Sequence, residues 1–231
     1  MPVRSVVACT LLLLACSVAF AADKDVELSG AEKQRALTEL PVFKNKGPIT
    51  ARIICEVDDL LGARKDEGEL LLDRSGRVLR KFTRPSLKIW LLSGSQIQEY
   101  AAARKTVYVK DFSQAPNVLK LIQSAFTGDL KGLESMFELQ VFRGGAENAP
   151  SYRFVMTRKA SVENAQLYKR IELLAHENAL FFHQIEYTPE SGDKTTERYL
   201  DIKAAETISD KDFTLDLPQD IQRKTENIRD K

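Results

Sequence analysis

The sequence predicts a mainly β protein with helices, an α+β chain built on a single curved antiparallel sheet. Three observations predict it. Apolar and polar residues alternate in short runs between Ile49 and Phe112, and again between Phe137 and Ala204. That is the period of a half-buried strand. Gly68, Ser75-Gly76 and Ser93-Gly94 separate the early runs, and short turns between successive strands make an antiparallel meander. The period turns helical only near the start and over 116–136. About ten or eleven strands are expected, and a sheet of that length curls. The helices carry apolar faces that need cover, and the concave side of the sheet supplies it.

The elements follow in order. Ser29-Gly30-Ala31-Glu32 has the spacing of a capping box, so a helix should open there and stop at Pro41. Ile49, Ala51, Ile53, Cys55 and Val57 alternate with Thr50, Arg52, Glu56 and Asp58. Strands are expected next over 69–73, 77–83, 87–92, 96–101 and 105–112. Val118, Leu119, Leu121, Ile122, Ala125 and Phe126 then fall at helical spacing, between Pro116 and Gly128. Pro in the first turn and Gly just past the end are the expected boundaries of a helix. Asp129 can cap a second short helix. Further strands are expected around 137–141, 152–156, 167–173, 180–184 and 197–204, with a last one at 213–218. The charged tail after Ile221 is expected to fray.

The 231 residues hold one export signal and one domain. Residues 1–21 have a cation at Arg4, an apolar run from Val6 to Ala15 and an Ala19-Phe20-Ala21 cleavage site. That is a signal peptide, too short to span a bilayer. Leu13-Leu14-Ala15-Cys16 is a looser match to a lipidation site, which would anchor the chain at Cys16. No second apolar segment has membrane-spanning length, so no transmembrane anchor is expected. Residues 22–231 form the single mature domain. Removing the signal takes away Arg4 and leaves 33 Lys and Arg against 33 Asp and Glu. A neutral chain lacks the basic excess that nucleic acid needs. Cys55 is the one thiol left, so no internal disulfide framework is available. A soluble periplasmic monomer is expected.

No nucleophile elbow, phosphate loop, dinucleotide fingerprint, Cys-x-x-Cys or His-Glu-x-x-His motif occurs in the sequence. No enzyme activity, cofactor or metal is therefore expected. His176 and His183 can meet across a hairpin, but a metal site needs further ligands. Cys55 lies on the apolar face of its strand and reads as an inert thiol. On pattern alone, 116–126 is a core helix, or more sharply a lid over an apolar cavity. Trp90 is core or cavity wall. Arg84, before Pro85, belongs at a sheet rim, because proline favours strand starts and edges.

Arg84-Pro85-x-Leu87-x-x-Trp90 resembles a segment of LolA, the periplasmic carrier family for outer-membrane lipoproteins. Gly94 with Tyr100, and the closing Phe213-Thr214-Leu215-x-x-Pro218, are similar to later motifs of that family. The resemblance spans about 30–222. It implies an unclosed β-barrel whose apolar concave face is covered by lid helices and takes the acyl chains of a lipid or lipoprotein. It implies that Arg84 latches the lid through hydrogen bonds. Leu87 and Trp90 would lie near the cavity, with Leu119, Ile122 and Phe126 on the lid side. It also implies an inner-membrane donor and an outer-membrane acceptor. Two departures stand out. The first strand reads Ala51-Arg52-Ile53-Ile54-Cys55 where the family carries Phe-x-Gln, and the turn after Trp90 is shorter. Gly128-Asp129-Leu130-x-x-Leu133-Glu134-x-x-Phe137 resembles a divergent LolA-like branch, which implies other lipids or glycolipids as cargo. A lipid-sensing or interaction module of the cell envelope, without transport, remains the alternative.

Overall fold

The computed structural model describes residues 25–229 except 40–46, 61, 147–148, 163–167, 216 and 218–219. The expected signal peptide, Cys16 and the expected helix stop at Pro41 lie outside the described residues. A short strand β1 (Val26–Glu27) precedes helix α1 (Gly30–Glu39). A meander follows: β2 (Ile49–Asp59), β3 (Gly62–Leu72), β4 (Val78–Arg84), β5 (Lys88–Ser93), β6 (Gln96–Ala101) and β7 (Thr106–Gln114). Helix α2 (Pro116–Thr127) interrupts it. Then come β8 (Phe137–Ala146), β9 (Ala149–Arg158), β10 (Arg170–His176), β11 (Gln184–Thr188), β12 (Lys194–Ala204) and β13 (Gln222–Arg229).

All thirteen described strands join one sheet, in the order β1-β8-β9-β10-β11-β12-β2-β3-β4-β5-β6-β7-β13. β12 pairs with β2, so the two meanders meet in the middle of the sheet. β1 and β13 form the edges, and the sheet does not close. The curved, unclosed, mainly antiparallel sheet with helices is as the sequence predicts, and the described residues hold two α-helices.

α2 is built as expected. Pro116 stands in its first turn, and Gly128 ends it at φ 76°, donating its N–H to the Ser124 carbonyl. A left-handed terminal residue is the ordinary role of glycine there. Val118, Leu121, Ala125 and Phe126 are buried against the sheet. The main core joins them to Ile49, Ile53, Leu70, Leu92, Phe154 and Tyr199, with Ala36 and Leu37 of α1. Fully burying one such large apolar side chain contributes roughly 1.5–3 kcal/mol. A second, smaller cluster lies on the other face of β5–β7. It holds Ile89, Tyr100, Val107 and Val109, with Leu79, Leu87, Leu215, Leu217 and Ile221 packed against it.

Four local expectations are corrected. The helix after Asp129 is one 3-10 turn, Lys131–Leu133. Leu180 to Phe182 precede β11 rather than joining it, and Phe181 and Phe182 are fully buried. Burial of two aromatics fixes this segment without a strand ladder. Around 213 the chain forms a 3-10 turn, Asp210–Phe213, capped reciprocally by Ser209 and Asp212. The tail expected to fray is β13, which runs parallel to β7. Its side chains are exposed except Ile228. The β7 edge accounts for this, because a row of free backbone groups pairs with any extended segment regardless of its side chains.

Candidate functional site

Residue parity along β4 decides which groups face inward. Val78, Arg80 and Phe82 pair with Leu72, Leu70 and Gly68 and share the concave face. The register then shifts: Phe82 opposes Gly68, but Arg84 opposes Glu67. Thr83 is the extra residue of a bulge, and one extra residue flips everything after it to the other face. Gly68 marks the spot, since a Cβ there would lie 2.2 Å from the Lys81 carbonyl oxygen.

Arg84 is therefore placed outside. Its side chain is 80% exposed and its Nη1 lies 3.7 Å from Glu67 Oε2. It lines an open outer groove together with Arg52, Glu69, Lys81 and Lys203. Those groups are charges of both signs in solvent. Among the described residues, the arginine packed against α2 is Arg80. Its guanidinium carbon lies 4.9 Å from the Phe126 ring of α2 and 4.9 Å from the Trp90 ring.

Arg80 stands at the wall of a cavity of about 490 Å³ between α2 and the concave face. The volume is ordinary for a small-ligand site, where ~300–1,000 Å³ is usual. α2 contributes Val118, Leu121, Ile122, Ala125 and Phe126. Trp90 of β5, Ile97 of β6, Phe112 of β7, Ile171 of β10 and Ile228 of β13 add apolar surface. Strands from both halves of the sheet line the one cavity, which records how far the sheet curls.

One wall is polar and buried. Arg80 donates to both oxygens of Glu197, at 2.8 and 2.6 Å. Their side chains are 12% and 4% exposed. Tyr187 and Tyr199 also donate to Glu197 Oε2. Burial is the strongest single influence and would favour a neutral guanidine, but Glu197 together with Tyr199, Tyr187 and Cys55 outweighs it and holds Arg80 well above its ordinary pKa. Burial, then the Glu197 charge, pushes the Tyr187 and Tyr199 hydroxyls up, so both stay neutral donors. The same two causes push the Cys55 thiol up to about 12. Nearer the β13 edge, Lys110 Nζ lies 3.1 Å from both Glu99 oxygens, and Glu226 joins the lining.

The sequence-predicted site residues separate into two sets. Trp90, Ile122 and Phe126 line the cavity, and Trp90 and Phe126 have ring centroids 6.0 Å apart. Leu119 is half-buried against the main core beside them. Leu87, expected near the cavity, instead packs on the outer cluster, because it shares the parity of Ile89 rather than Trp90. His176 and His183 do meet, with rings stacked 4.4 Å apart. Sequence reasoning missed Arg80 and Glu197. The available signal was a charge on the inward parity of an otherwise apolar row, Val78-x-Arg80-x-Phe82 and Glu197-x-Tyr199.

No protein-family model and no curated protein matches the chain. Solved structures do. An uncharacterized conserved protein from Thermus thermophilus is similar at TM-score 0.55 and 8% identity, over 84% of this chain and 99% of that one. The two share a fold. A LolA superfamily protein from Nitrosomonas europaea is similar at TM-score 0.40 and 14% identity, over 82% and 99%. A chain of the Pseudomonas aeruginosa MucA/MucB complex is similar at TM-score 0.48 and 10% identity, over 80% and 61%. Among the described residues, no helix is long and apolar enough to cross a membrane.

Proposed function

We propose that this protein shelters the acyl chain of a lipid or lipoprotein in the cavity beneath α2 and carries it through the periplasm. The observation that supports the reading is the cavity itself. A helix with a strong apolar face covers a curled sheet, and space for a small ligand is left between them. Burying acyl CH₂ groups contributes about 0.8 kcal/mol each, so a 16-carbon chain gains on the order of 10 kcal/mol. Shelter of that size suits a cargo that must cross water.

α2 is the cover, and its Phe126 contact with Arg80 and Trp90 is the hold on it. A cation over an aromatic face is worth ~0.5–2 kcal/mol, enough to bias closure and weak enough to yield. No covalent step is involved. An inner-membrane donor and an outer-membrane acceptor would load and unload the cavity.

The test is gentle purification of the mature protein from the periplasm, organic extraction and mass spectrometry. A co-purifying acylated molecule at up to one per protein is the expected result. Absence of lipid, together with failure to take up a neutral apolar dye, would falsify the proposal.

A further inference from the structure

We infer that the cavity selects acyl chains carrying an uncharged ester or amide carbonyl and rejects free fatty-acid carboxylates. The inference rests on the acyl-binding reading above and adds the head group. Among the described residues, five charged side chains line the cavity: Arg80, Lys110, Glu99, Glu197 and Glu226. Both cations are already matched. Arg80 is held by both oxygens of Glu197, and Lys110 by both oxygens of Glu99. Glu226 is the third carboxylate and leaves the lining one negative charge in excess. Lys224, the preceding inward residue of β13, stands over the Tyr108 ring at 5.8 Å and outside the lining.

An entering carboxylate finds both of these cations matched and gives up its water beside three carboxylates. A buried charge without a counter-charge is strongly disfavoured. A neutral carbonyl adds no charge, and a donor is present for it. Arg80 Nε is buried without a hydrogen-bond partner. The rings of Trp90 and Phe126 lie against that guanidinium, and a chain that enters beside them can offer its carbonyl oxygen to the Nε–H. A buried donor left unpaired is itself costly, and the carbonyl removes that cost. Arg80 sets the head-group position, while Glu197 and Glu226 set its charge.

Trp90 is the only tryptophan in the chain and lines the cavity, so binding is read from its fluorescence. The mature full-length chain is titrated at pH 7.5 with monopalmitoylglycerol, palmitoylethanolamide and palmitate, below their aggregation limits. Displacement of N-phenyl-1-naphthylamine serves as the second readout. The ester and the amide are expected to bind at least tenfold tighter than palmitate. Preference for one of the two distinguishes an ester-linked from an amide-linked cargo, and both support the inference. Glu226→Gln, on an exposed residue, is expected to narrow the gap by raising palmitate affinity. Glu197→Gln frees the Arg80 charge and is expected to close or reverse it. Palmitate binding as tightly as the ester in the unaltered protein would overturn the head-group inference alone. Failure of the dye and all three lipids to bind would overturn the acyl-binding reading as well.

Discussion

On their outer face, the strands β5–β7 bury Ile89, Tyr100, Val107 and Val109 beneath Leu215, Leu217 and Ile221 of the same chain. On the inner face, Trp90, Glu99, Lys110 and Phe112 of those strands border a cavity of about 490 Å³. Both faces are half apolar, and both need cover. The outer one is sealed by a short tail segment. The inner one is roofed by a whole helix and keeps a buried ion pair in its wall. A face that the chain seals with its own leucines serves stability. A face that retains space and an ion pair in its wall has room for a ligand.

Substitutions can break that contrast, and the largest effect should come from the ion pair. Glu197→Ala strands Arg80 in the wall and should cost about 3–5 kcal/mol in urea unfolding. Ile89→Ala removes outer packing and should cost about 2–4 kcal/mol, with no change in the affinity for a neutral apolar dye. Loss of dye binding in that variant would show that the two faces are not independent. Ile122→Glu places a charge in the cavity wall and should weaken dye uptake at least tenfold, about 1.4 kcal/mol, because an apolar ligand then meets an unpaired carboxylate.

The Cys55 thiol is pushed up to about 12 from an ordinary 9, first by burial and then by Glu197. The folded state therefore favours the neutral thiol. That contribution is complete below pH 9 and is lost as pH rises from 9 toward 12. Stability should fall over that window, and a Cys55→Ala variant should fall less. Alkylation of folded protein at about pH 8 should lag far behind that of the unfolded chain. The smallest effect is expected at Arg84→Leu. An 80% exposed side chain with a 3.7 Å ion pair should shift stability by no more than about 0.5 kcal/mol. Dye affinity should be unchanged.

Arg84 also shows where the sequence stops being legible. The meander, α2 and its boundaries follow from period, Pro116 and Gly128, and the structure has them. Strict alternation from Val78 would place Arg84 inside, beside Arg80. The bulge at Thr83 reverses this, and a bulge is set by register with a neighbouring strand, not by local pattern. Leu87 is misplaced for a related reason, since its side is fixed by the pairing of β5 and not by nearness to Trp90. The Arg80–Glu197 pair joins residues 117 positions apart, a contact that no local spacing encodes. β13 was missed because its residues are charged, while its pairing to β7 uses only the backbone.

The proposed function puts an acyl chain in the space beneath α2, in contact with Trp90. The most direct test is titration of the mature protein with a monoacylglycerol brominated along its chain, with Trp90 fluorescence as the signal. Bromine quenches only near contact, and the expected result is saturable quenching at one lipid per protein, reduced at least tenfold by Ile122→Glu. Lipid binding with unquenched Trp90 would place the chain elsewhere and contradict the claim.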